Sequence, residues 1–119
     1  MFVTSQGHAY SRFQRALKTG SPFLAMEAAR ELRQVSPADA LSLCLLLRDG
    51  DPLRYEPAAV RWLARLLEKG SGVGLRDAAE LAELLVGVGS HQQVAMIRLE
   101  RWLRAHGFAV EADRLVEAA

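Results

Sequence analysis

The stretch Ser36-Pro37-Ala38-Asp39-Ala40-Leu41-Ser42-Leu43-Cys44-Leu45-Leu46-Leu47-Arg48 decides the fold. Ser36 can accept a hydrogen bond from a free amide of a first helical turn, and Pro37 loses nothing at the first helical position. Asp39, three residues after the cap, can reach back to the cap amide and favours the positive end of the helix. From Leu41 to Leu47 the helix so opened is apolar on almost every side, unlike a surface helix with its polar stripe. It is expected to be the central, most enclosed element.

Outward from this helix the punctuation stays helical, with caps opening periodic apolar runs and Gly or Pro closing them. On the N-terminal side a first helix is expected from about His8 to Lys18, burying Tyr10, Phe13, Ala16 and Leu17, with Gly20 as its left-handed stop. Ser21-Pro22 then starts a second helix, which ends near Gln34 and turns Leu24, Ala28, Leu32 and Val35 inward. On the C-terminal side Arg48-Asp49-Gly50-Asp51-Pro52 breaks the central helix, and a fourth begins around Glu56-Pro57. It carries Ala59, Val60, Leu63, Leu66 and Leu67 inward and Arg61, Arg65 and Glu68 outward. Gly70-Ser71-Gly72-Val73-Gly74 reads as a flexible connector before a fifth helix, Arg76 to Val88, with Ala78, Leu81, Ala82, Leu85 and Val88 on its stripe. Ser90 with Gln93 reads as the capping box of a sixth helix, stopped by Gly107-Phe108, and a short seventh spans Val110 to Glu117.

No stretch alternates with a period of two and the β-branched residues do not cluster, so strands have no source. The expected class is all-α: a compact bundle or short helical-repeat-like stack of about seven short antiparallel helices, one domain over 1–119. Such a chain is long enough to bury a core without disulfides or metals. Arg61-Trp62-Leu63 recurs as Arg101-Trp102-Leu103. Asp39-Ala40 with Leu43, Leu46 and Leu47 recurs as Asp77-Ala78 with Leu81, Leu84 and Leu85, an offset on the scale of helix-pair repeats.

Fifteen Lys and Arg against 14 Asp and Glu leave a net charge of +1, which gives no general pull on nucleic acid or anionic membrane. The preference for Arg, with Lys18 and Lys69 the only lysines, reads as genome composition rather than a binding demand. Cys44 is the only cysteine; no internal disulfide is possible and its thiol reads as a small buried hydrophobe. Met1 to Gly7 lacks the basic start and apolar stretch of a signal peptide, and no segment is long enough to span a bilayer, so the expectation is a cytoplasmic protein.

Little points to chemistry. The Gly70–Gly74 run follows a helix rather than a strand and has neither phosphate-loop spacing, despite Lys69 and Arg76 beside it. His8, His91 and His106 are scattered outside any zinc pattern, and Asp49-Gly50-Asp51 lacks the remaining ligands of a calcium loop. No catalytic residue, cofactor or metal site is expected. The candidate interface is Arg61, Trp62 and Arg65 on one helix and Arg98, Arg101, Trp102 and Arg104 on another, because these residue types are enriched at binding hot spots. The competing reading packs each Trp at the edge of the core with Arg stems over it; exposure decides between them.

The segment Leu43-Cys44-Leu45-Leu46-Leu47-Arg48-Asp49, with Arg54-Tyr55-Glu56 and Ala59-Val60-Arg61-Trp62-Leu63-Ala64-Arg65, resembles a stretch of small uncharacterised all-helical proteins of high-GC bacteria. The resemblance implies a helical fold and transfers no activity or site. The expected function is a non-enzymatic protein–protein interaction or scaffold module, with a protein partner or self-association. One alternative is a nucleic-acid-associated regulatory domain using Arg12, Arg15 and Lys18 or Arg98, Arg101 and Arg104, which the net charge disfavours. Another is an enzyme or small-molecule binder assembled from dispersed residues.

Overall fold

The computed structural model describes residues 5–69 and 72–118. These form seven α-helices and, among the described residues, no strand: α1 (Ser5–Thr19), α2 (Pro22–Glu31), α3 (Pro37–Gly50), α4 (Pro52–Lys69), α5 (Leu75–Gly89), α6 (Gln93–Ala105) and α7 (Ala109–Ala118). Each of α4 to α7 packs on its predecessor, and α7 returns to α3. Five helices thus close a circuit around one apolar cluster drawn from α3 to α7, a bundle rather than an open stack. The remaining hairpin, α1 on α2, leans on α3 and buries Ala9, Phe13, Ala16, Ala25 and Ala28 outside that cluster.

Helix α3 is the enclosed element its apolar run requires. Leu41, Cys44, Leu45 and Leu47 are buried, none of the residues from 41 to 47 is exposed, and α1, α2, α4 and α7 all pack on it. The Ser36 hydroxyl accepts the Asp39 amide at 3.1 Å, as a cap residue should. Three residues into the helix, Asp39 is the buried charge among the described residues. Its carboxylate accepts Arg114 of α7 at 2.8 Å and Gln14 of α1 at 3.3 Å, and the same guanidinium nitrogen lies 3.1 Å from the Ser42 hydroxyl. One buried carboxylate therefore ties the hairpin and the last helix to the central one.

Several boundaries and faces differ from the expectation. Helix α4 begins at Pro52, not near Glu56, and holds Pro57 inside it. An internal proline removes one helical donor; the added first turn is held by Tyr55, buried, whose hydroxyl donates to the Leu85 carbonyl at 2.6 Å. The buried stripe of α4 is then Tyr55, Ala59, Trp62 and Leu66, while Val60 stays exposed and Leu63 and Leu67 are half-buried. Helix α2 stops at Glu31 because the Gln6 side-chain amide intercepts its end, donating to Glu31 O at 2.9 Å and accepting from Arg33 N at 3.0 Å. Its buried face is the small pair Ala25 and Ala28; Leu24 is exposed, Leu32 and Val35 are half-buried. Likewise α1 starts at Ser5 and buries Ala9, Phe13 and Ala16, leaving Tyr10 exposed and Leu17 half-buried. The connector at Gly70–Gly74 lies partly outside the described residues; Gly72 has φ +91° and Gly74 precedes α5.

The turn between α5 and α6 corrects the reading of Ser90. It caps the C-terminus of α5, and α6 starts at Gln93 with no side-chain cap. His91 N donates to Val88 O at 3.1 Å and Gln92 N to Gly87 O at 3.0 Å, the bond pair of a Schellman stop. The same stop recurs at Gly107, where Phe108 N reaches Leu103 O at 2.8 Å. In the first case the left-handed position is filled by His91, with φ +58°, where a side chain costs about 1 kcal/mol. His91→Gly is therefore expected to raise the unfolding free energy by about 1 kcal/mol, measured by urea denaturation; a destabilised variant would show that the imidazole contributes more than the backbone costs.

The internal echo falls at matching places. Asp39 and Asp77 are each the third residue of α3 and α5, and Trp62 and Trp102 are buried on the partner helices α4 and α6.

Candidate protein-binding face

Exposure and pairing separate the seven candidate interface residues into three groups. The two indoles belong to the core: Trp62 is 1 % and Trp102 4 % exposed, so neither offers a ring to a partner. Trp62 Nε1 donates to Pro37 O at 2.9 Å. Trp102 has no such acceptor, and its Nε1 is buried without a hydrogen bond. Its ring stacks on His106 with centroids 3.9 Å apart and lies parallel to Phe108 at 6.3 Å. His106 Nδ1 sits 2.8 Å from Trp102 O, and His106 Nε2 sits 3.6 Å from the Asp77 carboxylate.

Two arginines are engaged in structure. Arg65 is half-buried and donates to Val35 O, pinning the segment between α2 and α3 to α4. Arg104 bonds Glu100 at 2.9 Å and Asp113 at 3.0 Å, joining α6 to α7. The last three, Arg61, Arg98 and Arg101, are exposed, and no hydrogen bond or ion pair reaches them from the described residues. Arg61 stands alone on α4.

Arg98 and Arg101 share a groove of about 710 Å³ between α5 and α6. Glu80, Glu83, Leu84 and Gly87 of α5 form one wall, a stripe at helical spacing. Val94, Arg98, Arg101 and Ala105 of α6 form the other, with Ala95 and Trp102 also lining it. Gly87 sets the helix separation, since a Cβ there would lie 2.8 Å from Ala95 Cβ. No ion pair within 4 Å joins the acidic wall to the basic one among the described residues. The groove thus presents two rows of opposite, unpaired charge on either side of an apolar floor, with Val94 exposed at its edge.

The acidic wall has little signature in the sequence. Glu80, Glu83 and Leu84 flank the buried stripe of α5, and the one local signal is Gly87, a glycine inside an otherwise regular helix. A second groove of about 410 Å³, between α4 and α5, is lined mainly by apolar side chains, Val60 and Val86 being exposed. A third cleft, about 940 Å³, lies beside the segment between α2 and α3 and holds Arg33, Arg65, Lys69 and Arg114 with Asp39 and Glu111. There Arg65 and Arg114 are already bonded to Val35 and Asp39.

Two buried titratable groups, Cys44 and Tyr55, are held neutral. Burial pushes the Cys44 thiol up to about 12 against the partial pull of Arg61. Burial also raises the Tyr55 hydroxyl to about 12, with Cys44 adding to the rise and Arg48 opposing it. Both folded-state values exceed the ordinary 9.0 and 10.0, so the neutral forms stabilise the fold fully below pH 9.0 and the contribution is lost as pH climbs toward about 12. The urea midpoint is expected to fall across that window, and Cys44→Ala with Tyr55→Phe to flatten the fall; an unchanged slope in the double variant would refute the assignment. Among the described residues no three His, Cys, Asp or Glu gather as metal ligands, and no helix is long and apolar enough to cross a membrane.

Compared with known proteins, the chain matches no family model, and neither a curated protein nor a solved structure matches it significantly.

Proposed function

We propose that the protein is a non-enzymatic helical interaction module and that the groove between α5 and α6 is its docking face. The observation that carries this reading is the pair of unpaired charge rows, Glu80 and Glu83 opposite Arg98 and Arg101, over an apolar floor. A helix or helix pair laid in such a groove bonds both rows and covers the apolar strip, the helix-in-groove mode of recognition. Buried Cys44 and Tyr55 serve packing in this reading, not reaction.

The nucleic-acid alternative gains nothing from these surfaces. Arg12 is paired with Glu31 and Arg104 with Glu100 and Asp113, and carboxylates stand opposite Arg98 and Arg101 across the groove. A polyanion laid there would meet like charge.

The test is photo-crosslinking in cells. A benzoylphenylalanine placed at Val94 is expected to give a defined protein adduct, whereas the same group at exposed Phe23 on α2 is not. Adducts from Phe23 and none from Val94 would move the docking face elsewhere.

A further inference from the structure

From the charge layout of the α5–α6 groove we infer that its occupant is the same face of a second copy of this chain. The inference rests on the docking face proposed above and adds the partner. The acidic row, Glu80 and Glu83, belongs to α5 and the basic row, Arg98 and Arg101, to α6. A surface that carries opposite charges on its two halves is complementary to itself, provided the symmetry axis is chosen correctly. A two-fold axis running along the groove places α5 of each copy over α6 of the other. Every carboxylate row then faces a guanidinium row, and four helices form an intermolecular bundle. An axis across the groove would set like charges together and is excluded by the same layout.

The apolar part of the face agrees with this arrangement. Val94, 55 % exposed, stands at the edge of the groove and would be covered by the facing copy. Leu84, Ala95 and Trp102 also line the groove and would lie under the facing copy. Helices of this length present a face about 20 Å long, toward the small end of specific interfaces. The dimer is therefore in concentration-dependent exchange and weakened by salt.

Sedimentation equilibrium of the full chain over a range of concentrations tests the inference. The wild-type chain is expected to pass from monomer to dimer. Glu80→Arg with Glu83→Arg, and separately Arg98→Glu with Arg101→Glu, should each weaken self-association by at least about tenfold, circular dichroism verifying that the helices persist. Mixing the two variants is expected to restore a dimer containing one of each, because both charge contacts are then opposite again. Folded wild-type protein that stays monomeric, or charge variants that dimerise as tightly as the wild type, would overturn the second copy as occupant. The crosslink from Val94 separates this failure from that of the docking face. An adduct of twice the chain mass supports both; an adduct with a different protein keeps the face and rejects the second copy; no adduct rejects both.

Discussion

Replacing Trp62 by alanine is expected to lower the unfolding free energy by about 4 kcal/mol, against the roughly 5–15 kcal/mol available to a natural domain. Trp62 is the largest fully buried side chain and lies in the main core cluster. Its Nε1–H is bonded to the first residue of α3, so the truncation empties a site and removes a tie between α3 and α4. The phenylalanine variants of both tryptophans isolate the tie. Trp62→Phe and Trp102→Phe lose similar volume, but only Trp62 loses a bond that is made; the Trp102 nitrogen has no partner to lose. Trp62→Phe should therefore cost more by about 1 kcal/mol. Urea midpoints at unchanged slope measure the differences. Equal costs in the two phenylalanine variants would show that the bond to Pro37 contributes nothing net.

The contrast between the two tryptophans marks what could be read before the structure. The helical repetition of Arg-Trp-Leu placed both indoles near the edge of an apolar stripe, and the rule that long cationic stems lie over such edges pointed to the core. Whether an individual Arg is free depends on what comes near it from elsewhere in the chain. Arg65 finds Val35 at a separation of 30 residues, and Arg104 finds Asp113 nine residues on, in the next helix. Among the described residues Arg98 and Arg101 find neither a hydrogen bond nor an ion pair. Sequence spacing shows that a charge is on a helix surface; it does not show which neighbour crosses that surface.

Helix starts and stops were legible where the device is local. Ser36 and Ser21 cap as their side chains allow, and Gly20 and Gly107 occupy left-handed stops. The misplacements share one cause: a distant or less favoured residue did the work. Gln6, on another helix, ends α2; His91 supplies a left-handed stop where Ser90 was expected to open the next helix; Tyr55, anchored on Leu85, carries α4 back through Pro57 to Pro52. The enclosed character of α3 was legible because a run apolar on all sides has no solvent face to offer. The circuit that encloses it was not, since the contact of α7 with α3 has no local signature.

That closing contact yields the other large expected effect. Arg114→Met keeps much of the stem and removes the charge, which leaves the Asp39 carboxylate, 3 % exposed, with Gln14 at 3.3 Å as its remaining side-chain donor. Breaking a buried pair by removing one partner costs about 3 kcal/mol, because the other charge stays buried and uncompensated. Arg114 itself is partly exposed, its side chain at 24 %, so the penalty falls on the Asp39 side. Asp39→Asn removes the charge while retaining an acceptor for Arg114 and Gln14 to share, and its cost alone should be smaller. The combined variant is the decisive measurement. With no charge left to strand, Asp39→Asn with Arg114→Met should be more stable than the sum of the single effects predicts, by at least about 1 kcal/mol. Strict additivity would mean that α7 is held to α3 by apolar packing alone, through Leu115 and Ala112, and that the buried carboxylate is a passenger in the fold.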